Sequence, residues 1–227
     1  MRKTLLAILT LLTLTGCLSH DSTDDDVTVT LTEIVTFIDN TASGCDFEYI
    51  PRDAGASSFF TASGTFIDTE KVKPGERMLI SYVPQDPLRP YKSGKITLKG
   101  YAAINTGKAE IVIPDDIKGW DTTPVYLISI WQTGDYVNVR SLLAYSEKPR
   151  RYALLADVST FASGHVRAYL AYSLSDGLTP EDTYSRANYA SFSLADIWQS
   201  THVEDVTITV NNSNLTDQRE FTFPRPR

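Results

Sequence analysis

By type alone, five side chains of this 227-residue chain could serve as nucleophiles or soft metal ligands: Cys17, Cys45, His20, His165 and His202. Their surroundings argue against both uses. His165 and His202 stand alone on strand-like segments with no His-x-x-x-His or Cys–His spacing around them, and His20 lies in a polar stretch. A serine hydrolase would need a Gly-x-Ser-x-Gly elbow, and the nearest string is Ala162-Ser163-Gly164. The same Ala-Ser-Gly tripeptide recurs at 42–44 and 62–64, which reads as turn usage. A glycosidase pair of carboxylates would leave no local signature. Asp176, Glu181 and Asp182 share the segment 175–186, which reads as a solvated hairpin loop and not as a calcium site. No glycine loop suited to phosphate is present. The expectation is a protein with no catalytic residues, no metal site and no cofactor.

Cys17 has a different chemistry available. Arg2 and Lys3 precede an apolar run from Leu5 to Leu14, and the small residues Thr15 and Gly16 lead into the cysteine. A basic start, an apolar middle and small residues before a cut are the parts of a secretory signal peptide. The run is shorter than the roughly 20 apolar residues that a helix needs to cross a bilayer. Leu14-Thr15-Gly16-Cys17 resembles the bacterial lipobox, in which cleavage before the cysteine leaves a thiol that carries diacylglycerol. On this reading residues 1–16 are removed, and Cys17 anchors the remaining 211 residues to a membrane. Acylation consumes Cys17 and leaves Cys45 without an intramolecular partner. The fold must then stand without a disulfide, with Cys45 a small buried hydrophobe in a hairpin between Phe37 and Phe47.

Residues 17–27 form a polar, lipidated tether ending in Asp24-Asp25-Asp26, with too few apolar groups to order itself. The acidic run resembles the export signal behind the lipidated cysteine of surface lipoproteins in Bacteroidetes. Leu18, where an aspartate would favour retention in the inner membrane, points to the outer membrane. The cell surface is the expected face, with a periplasmic orientation as the alternative. The formal net charge is −7, and loss of Arg2 and Lys3 with the signal peptide leaves 19 basic against 28 acidic residues, or −9. With no basic stripe to oppose that charge, nucleic-acid binding is excluded as a reading.

Beyond the tether the apolar pattern is two-fold. Val27, Val29 and Leu31 alternate with threonines, Ile96 and Leu98 with lysines and threonine, and Val206, Ile208 and Val210 with threonines. Val166, Ala168, Leu170, Tyr172 and Leu174 alternate with His165, Arg167, Tyr169, Ala171 and Ser173. Such alternation places one side of each segment in a core and the other in water. Pro74-Gly75, Ser93-Gly94, Thr106-Gly107, Thr133-Gly134 and Asp176-Gly177 supply turns. A short helical turn is expected over 193–200, capped by Ser193. The polar, proline-bracketed stretch 114–124 divides the rest, giving a small OB-type β-barrel over 28–116 and an immunoglobulin-like β-sandwich over 117–227. The class is all-β.

Three segments resemble those of the NigD-like lipoproteins of Bacteroidetes. They are 72–82 (VKPGERMLISY), 130–139 (IWQTGDYVNV), and the pair 168–174 (AYLAYSL) and 187–194 (ANYASFSL). The lipobox, the aspartate run and the order of the segments agree with that family across the mature chain. The resemblance implies an N-terminal OB-fold barrel and a C-terminal β-sandwich, and it assigns no biochemical activity. Residues 171–174 read Ala-Tyr-Ser-Leu where the family often has Leu-Arg-His-Asn, so no role of those polar residues carries over.

The expected function is that of a non-catalytic accessory lipoprotein, held to the membrane by its lipid, that binds another envelope protein. The alternative is a surface glycan binder, for which Trp120 and Tyr91 are the candidate contacts. A hydrolase with a distributed carboxylate pair is a weaker alternative. Trp131 and Trp198 read as packing residues of a hairpin and of the short helical turn. Asp21-Ser22-Thr23 and Asp121-Thr122-Thr123 resemble the acceptor of Bacteroidetes O-glycosylation, which would modify Ser22 and Thr122. Replacing Cys17 with alanine is expected to abolish labelling by a palmitate analogue and to move the protein from the membrane pellet to the soluble fraction. Undiminished labelling of the variant would refute the anchor.

Overall fold

A computed structural model describes residues 29–53, 55–118, 123–144, 151–173, 185–215 and 217–226. Cys17, Ser22, Trp120 and Thr122 lie outside the described residues, as do the signal peptide, the tether and 175–184 of the acidic loop.

Five strands close a barrel: β1 (Leu31–Thr41), β2 (Gly44–Tyr49), β3 (Ser58–Ser63), β4 (Arg77–Pro84) and β5 (Gly94–Ala103). Their order around the wall is β1-β2-β3-β5-β4, with β4 closing on β1 and β3 running parallel to β5. That is the OB-type arrangement. The two-fold pattern explains the interior. Cys45, Phe47 and Tyr49 point inward from β2, Phe60 and Ala62 from β3, and Met78, Ile80 and Tyr82 from β4. The aromatic rings fill the tube, with Phe37–Phe47 centroids at 6.2 Å and Phe60–Tyr82 at 5.2 Å. Each such fully buried side chain contributes about 1.5–3 kcal/mol of transfer free energy. Cys45 is fully buried in this core, as the hairpin pattern predicts, and burial pushes its thiol up to about 11.

The remaining strands form two sheets face to face. One has the order β6 (Asn105–Lys108), β12 (Ser185–Ser193), β9 (Tyr136–Ala144), β8 (Tyr126–Thr133). The other runs β14 (Glu220–Pro224), β13 (Asp205–Val210), β11 (His165–Ser173), β10 (Arg151–Asp157), β7 (Glu110–Val112). Between them lie Leu127, Val137, Val139 and Phe192 of one sheet and Leu154, Val166, Ala168, Ile208 and Val210 of the other. This is the expected sandwich, but not with the all-antiparallel ladders of an immunoglobulin domain. β6 pairs parallel with β12, β7 with β10, and β11 with β13.

The sheets change hands earlier than composition indicates. β6 and β7, which a division at 116/117 leaves with the barrel, are sandwich strands, and only Ile104 separates β5 from β6. Thr106-Gly107 is accordingly no turn. It lies inside β6 opposite Ser191 and Phe192, a plain strand position where a Cβ would stand 3.8 Å from the Phe192 ring, an ordinary contact. The stretch 114–124 instead begins with a short helix, α1 (Pro114–Lys118). Val112 and Ile117 cover Ala153, Leu155 and Ala171 on the outer face of the five-stranded sheet. Alternation alone assigns Ala171 to water; a local cover buries it. The turns at Gly75 (φ 88°) and Gly134 (φ 53°) are real and need glycine's left-handed freedom.

The helical turn is α2 (Ala195–Trp198); its N-cap position is held by Leu194 and not by Ser193, whose Oγ accepts from the Ala195 N–H at 3.3 Å from one residue further out. Trp198 is buried there, beneath the Arg225 guanidinium.

A Cys17→Ala protein has Cys45 as its one thiol. We expect it to resist Ellman's reagent at pH 8 while folded and to react fully in guanidinium chloride. Rapid native-state reaction would contradict the enclosed barrel core.

Candidate functional site: the barrel–sandwich junction

Arg77 opens β4 just after the Gly75 turn, which is held by Glu76 Oε2 accepting from the Lys73 N–H at 2.8 Å. Its side chain is 3% exposed and leaves the barrel for the sandwich. On the barrel side Nη1 donates to Thr36 Oγ1 at 3.1 Å and Nη2 to the Ile34 carbonyl at 3.4 Å. On the sandwich side Nη2 donates to Thr133 Oγ1 at 3.3 Å and Nε to Ser191 Oγ at 3.4 Å. Asn138 completes the set: Nδ2 donates to Thr133 Oγ1 at 2.9 Å, and Oδ1 accepts from Ser191 Oγ at 2.8 Å. The Tyr136 ring lies 4.8 Å from the guanidinium carbon. Burial lowers the Arg77 pKa to about 10, so it stays charged at neutral pH, held by neutral oxygens and one aromatic face.

The three sequence segments that resemble NigD-like proteins meet here. Arg77 comes from 72–82, Thr133, Tyr136 and Asn138 from 130–139, and Ser191 from 187–194. They dock one half of the molecule on the other. The Gly134 tip makes the same point, since an added Cβ would stand 3.2 Å from Ile50 Cγ2 of the barrel.

Docking leaves an open cleft beside the latch. Its narrower part encloses about 360 Å³ and is lined by Thr32, Glu33, Arg52, Ser129, Trp131, Arg140 and Tyr189, among others. It continues past Arg52 into a space of about 600 Å³ bounded by Tyr49, Tyr91 and Asp53. Arg52, in the turn three residues past the end of β2, lays its guanidinium over the Trp131 ring, 4.5 Å from the centroid. Arg140, outward-facing on β9 between buried Val139 and Ser141, lies over Tyr189 at 5.5 Å. Tyr91 stacks on Tyr49 at 5.1 Å and donates to Glu33 Oε1 at 3.2 Å. Burial raises the Glu33 pKa, opposed by the Arg52 charge and the Tyr91 hydroxyl.

Tyr91 is thus a cleft residue, 42% exposed, and Trp131 is not a core residue but part of the cleft wall. Arg140, Tyr189 and Glu33 carry no local sequence signal beyond their places on strands, and Arg52, in a turn, carries none. The histidines stand apart. His165 Nδ1 lies 2.8 Å from Asp205 Oδ2, which raises its pKa, and His202 hydrogen-bonds Thr201. Among the described residues no group of three His, Cys, Asp or Glu side chains could hold a metal ion. No described helix is long and apolar enough to cross a membrane.

No family model and no curated protein matches the chain. Solved structures do, at low identity. A protein of unknown function from Bacteroides vulgatus superposes with a TM-score of 0.64 at 17% identity, over 88% of this chain and 91% of that one. A NigD-like immunity protein from Bacteroides caccae gives 0.59 at 19% identity, over 86% and 92%. A putative lipoprotein from Bacteroides fragilis gives 0.58 at 15%, over 87% and 98%. The likeness to NigD-like proteins read from three sequence segments is therefore a likeness of the whole fold.

Replacing Arg77 with methionine keeps much of the volume but removes the donor to Thr36, Ser191 and the Ile34 carbonyl, and leaves Thr133 with Asn138 alone. We expect a loss of roughly 2–4 kcal/mol and, in calorimetry, separation of one transition into two as barrel and sandwich uncouple. A single transition at the wild-type temperature would deny the latch its role.

Proposed function

We infer that this chain is a lipid-anchored, non-catalytic envelope protein that binds another protein through the barrel–sandwich cleft. The observation that carries the reading is the pairing of Arg52 with Trp131 and of Arg140 with Tyr189 along one open groove. Tryptophan, tyrosine and arginine are the residues in which binding energy concentrates at protein interfaces. Here they are held by a junction whose buried network limits relative movement of its two walls, so little ordering cost remains for association. Anchoring at Cys17 and a place in the outer membrane, at the surface or facing the periplasm, are part of the same proposal. The likeness in fold to a putative lipoprotein and the absence of a membrane-spanning helix among the described residues are in keeping with them.

A second reading has one observation in its favour. The outer face of Tyr91, backed by Tyr49, is open and could carry a sugar ring. Crosslinked pull-downs from intact native cells separate the two. A defined envelope protein should be recovered with wild type and fall roughly tenfold or more with Trp131→Ala plus Tyr189→Ala. No recovered partner, together with retention on a polysaccharide gel that Tyr91→Ala abolishes, would replace protein binding with glycan binding.

A further inference from the structure

Stacking uses the flat face of a guanidinium and leaves its edge, with the N–H donors arranged as a fork, free for a planar anion. Arg52 and Arg140 are both stacked in this way on rings of the sandwich sheet, and both line the same cleft of about 360 Å³. Neither makes an ion pair with a described carboxylate. The one acid on this part of the wall, Glu33, already accepts from Tyr91. Both cations face an open groove in a chain whose formal net charge is −7, and the acid that lines the groove with them, Glu33, feels the Arg52 charge. Thr32 and Ser129 add hydroxyls between them, with Thr32 Oγ1 3.0 Å from Ser81 Oγ.

We propose that the Arg52–Arg140 cleft is a carboxylate site, and that what it takes from the partner is an acidic peptide segment whose aspartate or glutamate side chains seat on the two guanidinium forks. The proposal rests on the protein-binding reading above and narrows it. An acidic peptide is favoured over a uronic-acid glycan by the rings themselves. Sugar recognition uses open aromatic faces, whereas the cleft faces of Trp131 and Tyr189 are covered by the arginines, so the wall offers fixed charge in place of a stacking platform. A stacked arginine has also lost part of its rotamer freedom before the ligand arrives, which lowers the entropic cost of clamping a carboxylate.

The test is fluorescence anisotropy of a labelled oligoglutamate peptide against the full mature chain carrying Cys17→Ala. Saturable binding is expected, weakened by salt, and reduced roughly tenfold or more by Arg52→Ala or Arg140→Ala. Arg52→Lys should restore only part of the loss, because an ammonium keeps the charge but not the fork. Both arginines are solvent-facing, so the variants should melt as wild type. Binding unchanged in the double variant, or no binding of oligoglutamate, overturns the proposal. Arginine-dependent binding of polygalacturonate without binding of oligoglutamate also overturns it, in favour of an acidic glycan. Continued Trp131-dependent capture of an envelope protein, with oligoglutamate inert, would sink the acidic segment and leave the protein-binding reading standing.

Discussion

A guanidinium removed from water must find its acceptors inside the protein, and Arg77 finds them on both sides of the barrel–sandwich junction. Desolvation makes a buried charge costly by several kcal/mol, so such a group survives only where the surrounding oxygens are fixed in place. Here they belong to β1, to the end of β8 and to β12, with Asn138 of β9 tying the last two together. Moving either half would leave donors without acceptors in a site that water does not reach. A buried charge whose acceptors lie on both units is thereby well suited to specifying one relative placement of the two.

The cleft is a consequence of that placement. Arg52 comes from the barrel and Trp131, Arg140 and Tyr189 from the sandwich, so neither half contains the site alone. The near-continuous run of β5 into β6 adds a second constraint, because a strand that passes from one unit to the other with a single intervening residue permits little bending. A shape defined by the junction is one that two flexibly joined domains could not present.

Much of the architecture was legible in the chain. Period-two alternation places Ile96, Val166 and Ile208 in cores, because a pleated strand sends alternate side chains to opposite faces whatever the fold. The left-handed glycines at 75 and 134 marked turns for an equally local reason. Gly107 is no turn because glycine is not confined to turns: here it takes an ordinary strand position paired with Phe192 of β12, a residue 85 positions away. Ala171 misled because a small apolar side chain is indifferent to water until something covers it, and its cover arrives from 112–117. Trp131 reads as packing because a tryptophan near a glycine turn has the same local pattern whether it faces a core or a cleft.

Local pattern suffices for the all-β class, the strand periodicity, the burial of Cys45 and the three segments by which the chain resembles NigD-like proteins. These depend on backbone geometry and on residue types a few positions apart. Sheet pairing and docking alone establish that 72–82, 130–139 and 187–194 meet around Arg77, that the sandwich begins before 116, and that Arg52 and Arg140 share one cleft. Each of those facts joins residues separated by dozens of positions, and their proximity is set by which sheets pair and how two cores dock, quantities that no local pattern encodes.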